Sequence, residues 1–258
     1  MSVRIHPTAV VEQGAQLDTG VVIGAFAYIG PRVQIGADSV VHHHATVENQ
    51  VYIGAECEVF PYALIGGLTQ DLKYTGADTG IKIGSRNILR EYTSVHIATK
   101  EGEYTTLGDD NVLLAYSHIA HDCEVGNHLI MSSHAALAGH VRLGDHINIS
   151  WNSGVHQFCN VGDYAMIGGC SKVVQDVPPY MLADGNPARV KTINKIGLER
   201  AGFSSEEIAL ARSAYKCLYR ETHSREEALL KLHNHKEASG RVLQTILNFV
   251  EQSARGLA

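Results

Sequence analysis

The run Ser117-His118-Ile119-Ala120-His121-Asp122 sets two imidazoles three residues apart, with a carboxylate beside the second. An imidazole titrates near neutrality, and a neighbouring carboxylate can orient it, so this string can supply a general base or metal ligands. Eighteen residues beyond Asp122 stands His140, in Leu137-Ala138-Gly139-His140, and His156-Gln157-Phe158 follows. If the chain superposes on itself at that spacing, these groups line one edge of the molecule. An outward histidine at such an edge can equally be a solvated surface residue. Of the fifteen histidines, His42, His43, His44, His223, His233 and His235 read that way.

The element that must position these groups is a six-residue repeat. From Ile5 to Val173, every sixth residue is aliphatic at all but three of 29 positions, the exceptions being Asp71, Ala77 and Glu101. A period of six does not return a side chain to one face of a helix, but it is compatible with strand alternation. The position two residues earlier is small or apolar, as at Ala9, Ala15, Val21, Ala27, Ala45 and Ala63, so each hexad turns one large and one small side chain inward. Short strands joined by tight corners and stacked on copies of themselves make an all-β solenoid. Ile119 occupies an inward position, so alternation puts His121 on the same side unless a corner intervenes.

Two polar, Gly-rich stretches, 67–80 and 98–106, interrupt the repeat and read as loops thrown out from the coil. Beyond Val177-Pro178-Pro179 the repeat ends, which predicts a solenoid over 1–185 and an α-helical C-terminal domain over 186–258. Ser204-Ser205-Glu206-Glu207 and Ser224-Arg225-Glu226-Glu227 have the capping-box spacing of helix starts.

Composition narrows the function. The chain lacks an apolar run long enough for a membrane span and an N-terminal apolar signal region, which predicts a cytoplasmic protein without stable membrane insertion. Five cysteines without a CxxC pair argue against a disulfide framework, and Cys57, Cys123 and Cys159 fall in the small inward slot. Residues 186–258 hold 12 Lys/Arg against 8 Asp/Glu, whereas 1–185 hold 9 against 19. A basic helical unit on an acidic solenoid fits either an acidic partner or a solvated face, and no aromatic-plus-basic platform for nucleic acid occurs.

Several strings together resemble the UDP-N-acetylglucosamine O-acyltransferase family of lipid A synthesis. They are Ile5-His6-Pro7-Thr8-Ala9, Gln70-Asp71-Leu72-Lys73-Tyr74, His118-Ile119-Ala120-His121-Asp122-Cys123, Leu137-Ala138-Gly139-His140-Val141, Val155-His156-Gln157-Phe158-Cys159, Gly168-Gly169-Cys170-Ser171, Gln175-Asp176-Val177-Pro178-Pro179-Tyr180 and Gly202-Phe203-Ser204. The resemblance spans the whole chain and implies a left-handed parallel β-helix that assembles as a homotrimer, with active sites between subunits. It implies transfer of a 3-hydroxyacyl group from the phosphopantetheine of acyl carrier protein to the 3-hydroxyl of the UDP-sugar, with no metal and no further cofactor.

By the same resemblance His121 is the general base, Asp122 its orienting neighbour, and the Gly139 N–H the oxyanion donor. Asp71, Lys73, His118, His140, His156, Gln157, Asn194 and Arg200 match substrate contacts. Gly169, with Met166 nearby, matches the position that limits acyl length. The basic residues Arg212, Lys216 and Arg220 suit docking of the acidic carrier protein. Ile196 and Ala201 depart from the commonest family pattern, in which an acidic residue and a second arginine often stand. Two other readings compete: N-acylation of a 3-amino sugar nucleotide, and a γ-carbonic-anhydrase-like metalloenzyme with His96, His118 and His121 as zinc ligands.

Overall fold

The computed structural model describes residues 2–221 and 224–258, so His223 lies outside the described residues. Its solenoid consists of two- to four-residue strands that distribute in strict rotation among three parallel sheets. The first sheet begins with Arg4–Ile5, the second with Val10–Val11 and the third with Gln16–Leu17. Strands pair 18 positions apart, as in Val22↔Val40 and Thr46↔Leu64. The coil is a left-handed parallel β-helix, as the resemblance implied.

The hexad aliphatics fill its axis, and those from Ile23 to Val173 that lie in the coil are buried. Removing one, as in Leu→Ala, typically costs about 2–5 kcal/mol. Only the first coil is open, where Ile5 is 48% exposed. The tight corners put non-glycine residues in the left-handed region, among them Asp122 (φ 58), His140 (φ 60) and Phe158 (φ 64). Such backbone costs roughly 1 kcal/mol or more per residue. Stacking between coils offsets it: Tyr62, Tyr92, Tyr116 and His134 form a ladder with ring centroids 4.7–5.1 Å apart.

The excursions are narrower than expected. Gly67 closes one strand and Gly80 opens the next, so the first loop is 68–79. The second spans 97–103, because Tyr104–Leu107 alternates inward and outward and pairs with Gly80–Ile83. The pairs Leu64↔Ser94 and Ser94↔His118 span 30 and 24 positions, so the insertions amount to whole hexads and the phase survives. The loops bond to each other: the Asp78 N–H donates to Glu101 (2.7 Å) and the Thr79 hydroxyl to the Ala98 carbonyl (2.8 Å).

The expected boundary at 185/186 falls inside an antiparallel hairpin, Met181–Gly185 with Ala188–Ile193, that extends the first sheet. The segment just after 186 is therefore strand, and helix begins at Lys195. Gly185-Asn186-Pro187 supplies the reversal, and buried Met181, Ala183, Ala188 and Val190 give the hairpin an inner face. Among the described residues four helices follow: α1 (Lys195–Arg200), α2 (Ser205–Tyr219), α3 (Arg225–His233) and α4 (Arg241–Gln252). Ser204 and Ser224 form the two expected capping boxes with Glu207 and Glu227. The C-terminus returns to the last coil, where the Ser253 hydroxyl donates to the buried Asp176 carboxylate at 2.7 Å and the Ala258 N–H to its carbonyl at 2.9 Å.

Candidate active site

A corner does intervene after Ile119. Ile119 is fully buried in the coil, and the left-handed turn at Asp122 swings His121 out of that face. The His121 Nδ1 lies 2.7 Å from Asp122 Oδ2. A carboxylate only accepts, so Nδ1 carries the proton and Nε2 keeps its lone pair. Thr99 fixes the carboxylate by donating its N–H to Oδ1 (2.9 Å) and its hydroxyl to Oδ2 (2.8 Å). Burial works to raise the Asp122 carboxyl, but the bonds from His121 and Thr99 outweigh it and hold it below the usual carboxylate range. One coil on, His140 Nε2 stands 3.5 Å from the same oxygen, and its ring stacks on Phe158 at 4.6 Å.

His121 opens onto a cleft of about 500 Å³ on the second sheet, lined also by Gln70, His118, Gly139, His156 and Lys172. Gly139 lies beneath the imidazole: a Cβ built there would sit 2.4 Å from His121 Cε1 and 2.7 Å from Nε2. Among the described residues no acceptor takes the Gly139 N–H, which leaves a donor beside the base. The arrangement can deprotonate a hydroxyl and stabilise an adjacent oxyanion.

His118 is held by the Ser94 hydroxyl, 2.8 Å from its Nδ1. Burial first, then the nearby His96 and His121, pushes it down to about 4. Because the folded value lies below the unfolded one, the unfolded chain binds the proton more readily. Stability is therefore full above about pH 6.5 and declines as pH falls toward 4. His118→Gln should flatten the fall of thermal midpoint across that window; an unchanged slope would assign it to other groups.

The remaining candidates are dispersed over the chain. Gln70, rather than Asp71 or Lys73, reaches the cleft from the first loop. Asp71 accepts the backbone N–H of Lys73 at 2.9 Å, Lys73 is exposed, and Leu72 between them is fully exposed at the tip. His156 lines the cleft, and the exposed Gln157 follows it. Met166 lies on the first sheet, and Gly169 at the corner between first and second sheets, where a Cβ would meet nothing nearer than the Trp151 carbonyl at 3.5 Å. Asn194 caps α1: its Oδ1 accepts from Gly197 (3.1 Å) and its Nδ2 donates to the Tyr164 carbonyl (2.9 Å). Arg200 is exposed at the end of the same helix. Arg212, Lys216 and Arg220 form an exposed stripe along α2 and its C-cap.

The zinc set His96, His118 and His121 does not form a cluster of ligand atoms; among the described residues the one such group is His121, Asp122 and His140. His96 instead places Nδ1 2.7 Å from the Leu68 carbonyl, tying the first loop to the coil. Sequence reading missed Thr99, Ser94, Gln70 and Lys172 as parts of the site. Ser94 could have been found, since it precedes His118 by one coil plus six residues; Thr99, inside a loop, has no such signal.

The family model described as Udp N-acetylglucosamine O-acyltransferase, Domain 2, matches residues 176–258. Curated acyl-[acyl-carrier-protein]–UDP-N-acetylglucosamine O-acyltransferases of Paraburkholderia phymatum and Paraburkholderia xenovorans are 46% and 48% identical, each covering 98% of this chain and of the relative. The solved structure of LpxA from Acinetobacter baumannii superposes with a TM-score of 0.95 at 39% identity, covering 98% of this chain and 99% of that one. The UDP-N-acetylglucosamine acyltransferase of Francisella novicida gives 0.94 at 35% identity, over 98% and 93%.

Proposed function

The chain belongs to the UDP-N-acetylglucosamine O-acyltransferase family, and on that premise we infer that the His121 cleft is where an acyl chain passes from acyl carrier protein to UDP-N-acetylglucosamine. The observation that carries this reading is the His121 imidazole, proton fixed on Nδ1 toward Asp122 and free Nε2 poised over Gly139. Nε2 takes the proton of the sugar 3-hydroxyl as its oxygen attacks the thioester carbonyl. The carbonyl oxygen becomes an oxyanion that accepts the Gly139 N–H. Collapse breaks the C–S bond, and the phosphopantetheine thiolate leaves with the proton returned by His121. Asp122 stabilises the imidazolium between those steps. No step calls for a metal or a cofactor beyond the carrier's own arm.

We assign His118 and His156 of the cleft, the neighbouring His140 and Gln157, and Asp71 and Lys73 of the first loop to substrate binding. Met166 on the first sheet, Gly169 at the corner where it meets the second, and Asn194 and Arg200 at the ends of α1 do not line the cleft of the same chain. A homotrimer in which a neighbour faces the cleft supplies such residues in trans, and the spread supports that assembly. No helix of the described residues is long and apolar enough to cross a membrane; both substrates are water-soluble, and we place the reaction in the cytoplasm.

A transfer assay with metal-stripped protein, UDP-N-acetylglucosamine and 3-hydroxyacyl carrier proteins of graded length tests the reading. Ester formation with one length optimum is expected; product only with a 3-amino sugar nucleotide would overturn the oxygen acceptor. The open space over Gly169 predicts that Gly169→Met moves the optimum to shorter chains, whereas an unmoved optimum would place the acyl end elsewhere. Reversing the α2 stripe with Arg212→Glu and Lys216→Glu should raise KM for the acyl carrier protein about tenfold or more with kcat held, the signature of lost electrostatic docking.

A further inference from the structure

We propose that His121, Asp122 and His140 form a transition-metal capture site, taking Zn2+ or a similar divalent ion, whose occupancy switches the catalytic base off. Their donor atoms lie within 4.8 Å of one another. Two imidazoles and a carboxylate are a zinc donor set, with bonds of about 2.0–2.1 Å that hold tetrahedral donors about 3.3 Å apart. His140 Nε2 and Asp122 Oδ2 already stand 3.5 Å apart, and the 2.7 Å contact of His121 with Asp122 must open to admit the ion. The other two ligands are held in place, Asp122 by both Thr99 bonds and His140 by its stack on Phe158. The side chains are 14%, 6% and 29% exposed, and Asp122 and His140 line a neighbouring cavity, which admits an ion while limiting competition from water.

The switch follows from the tautomer. An ion on His121 Nδ1 displaces the proton shared with Asp122, and the neutral ring then carries its proton on Nε2, by exchange with solvent. That atom no longer has a lone pair for the sugar hydroxyl. Binding stands on the geometry alone; the inhibition rests on His121 being the base.

The experiment uses chelator-stripped full-length protein titrated with Co2+ and Zn2+, each alone. One ion per chain is expected by equilibrium dialysis, with the intense visible bands of four-coordinate Co2+ displaced by Zn2+. His140→Ala and Asp122→Asn, checked for native circular dichroism, should each lose binding at least tenfold. Zn2+ should abolish transfer in the parent protein, and a chelator should restore it. No binding, or binding undiminished in both variants, overturns the site even if transfer proceeds normally. Stoichiometric binding with transfer unaffected overturns the switch and the assignment of His121 as base together.

Discussion

His121→Gln should lower the acyl-transfer rate about 10²–10⁴-fold, the usual worth of a positioned general base. Glutamine keeps much of the volume and a polar tip but offers no lone pair that titrates near neutrality. The loss should fall on kcat, with KM for both substrates little changed, because the proton is transferred only as the bond forms. The fold should not suffer, since His121 is at a corner outside the buried column that includes Ile119 and Leu137. Its partner Asp122 will keep the Thr99 bonds that fix it. Circular dichroism and thermal midpoint measured beside the rate separate the two effects. Wild-type turnover in a folded variant would remove His121 from the chemistry.

Gly139→Ala carries the second large effect, through one added methyl group. The backbone at Gly139 is not in the left-handed region, so alanine fits the local conformation, and such a change normally stabilises by about 0.4–1 kcal/mol. The cost is to the neighbour: the new Cβ would sit 2.4 Å from His121 Cε1, so the imidazole has to move. Moving it breaks the 2.7 Å bond to Asp122, and with it the tautomer and the aim of Nε2. A displacement of about 1 Å at a reacting group is worth on the order of 10²-fold. The expected result is therefore a stable, correctly folded protein with activity down about 100-fold or more. Equal activity in Gly139→Ala would mean that the imidazole has other room, and that the glycine is there for its backbone alone.

Much of this site was legible because the repeat makes position in the sequence equivalent to direction in space. Asp122 and His140 differ by 18 residues, hence one coil, and the structure puts Nε2 of the second 3.5 Å from the carboxylate of the first. Phe158, a further 18 residues on, stacks on His140 in the same way. The 18-residue arithmetic failed for Thr99, which reaches Asp122 across 23 positions because an excursion intervenes. It failed also for Gln70, carried to the cleft by the first loop, while Asp71 and Lys73 beside it spend their contacts within the loop. In Asn194 the side chain matched to substrate is occupied by capping α1 and bonding the Tyr164 carbonyl.

By itself the sequence determined the coil and its core, because a side chain's inward or outward direction follows from strand alternation within one hexad. The two helix starts were fixed as locally, by the capping boxes of Ser204 and Ser224. Tertiary structure decided the side on which His121 emerges, the ring nitrogen that carries its proton, and the use of residues 188–193 as a strand rather than helix. Those outcomes depend on contacts between coils and across loops, whose energies are set by neighbours far along the chain and have no counterpart in a six-residue window.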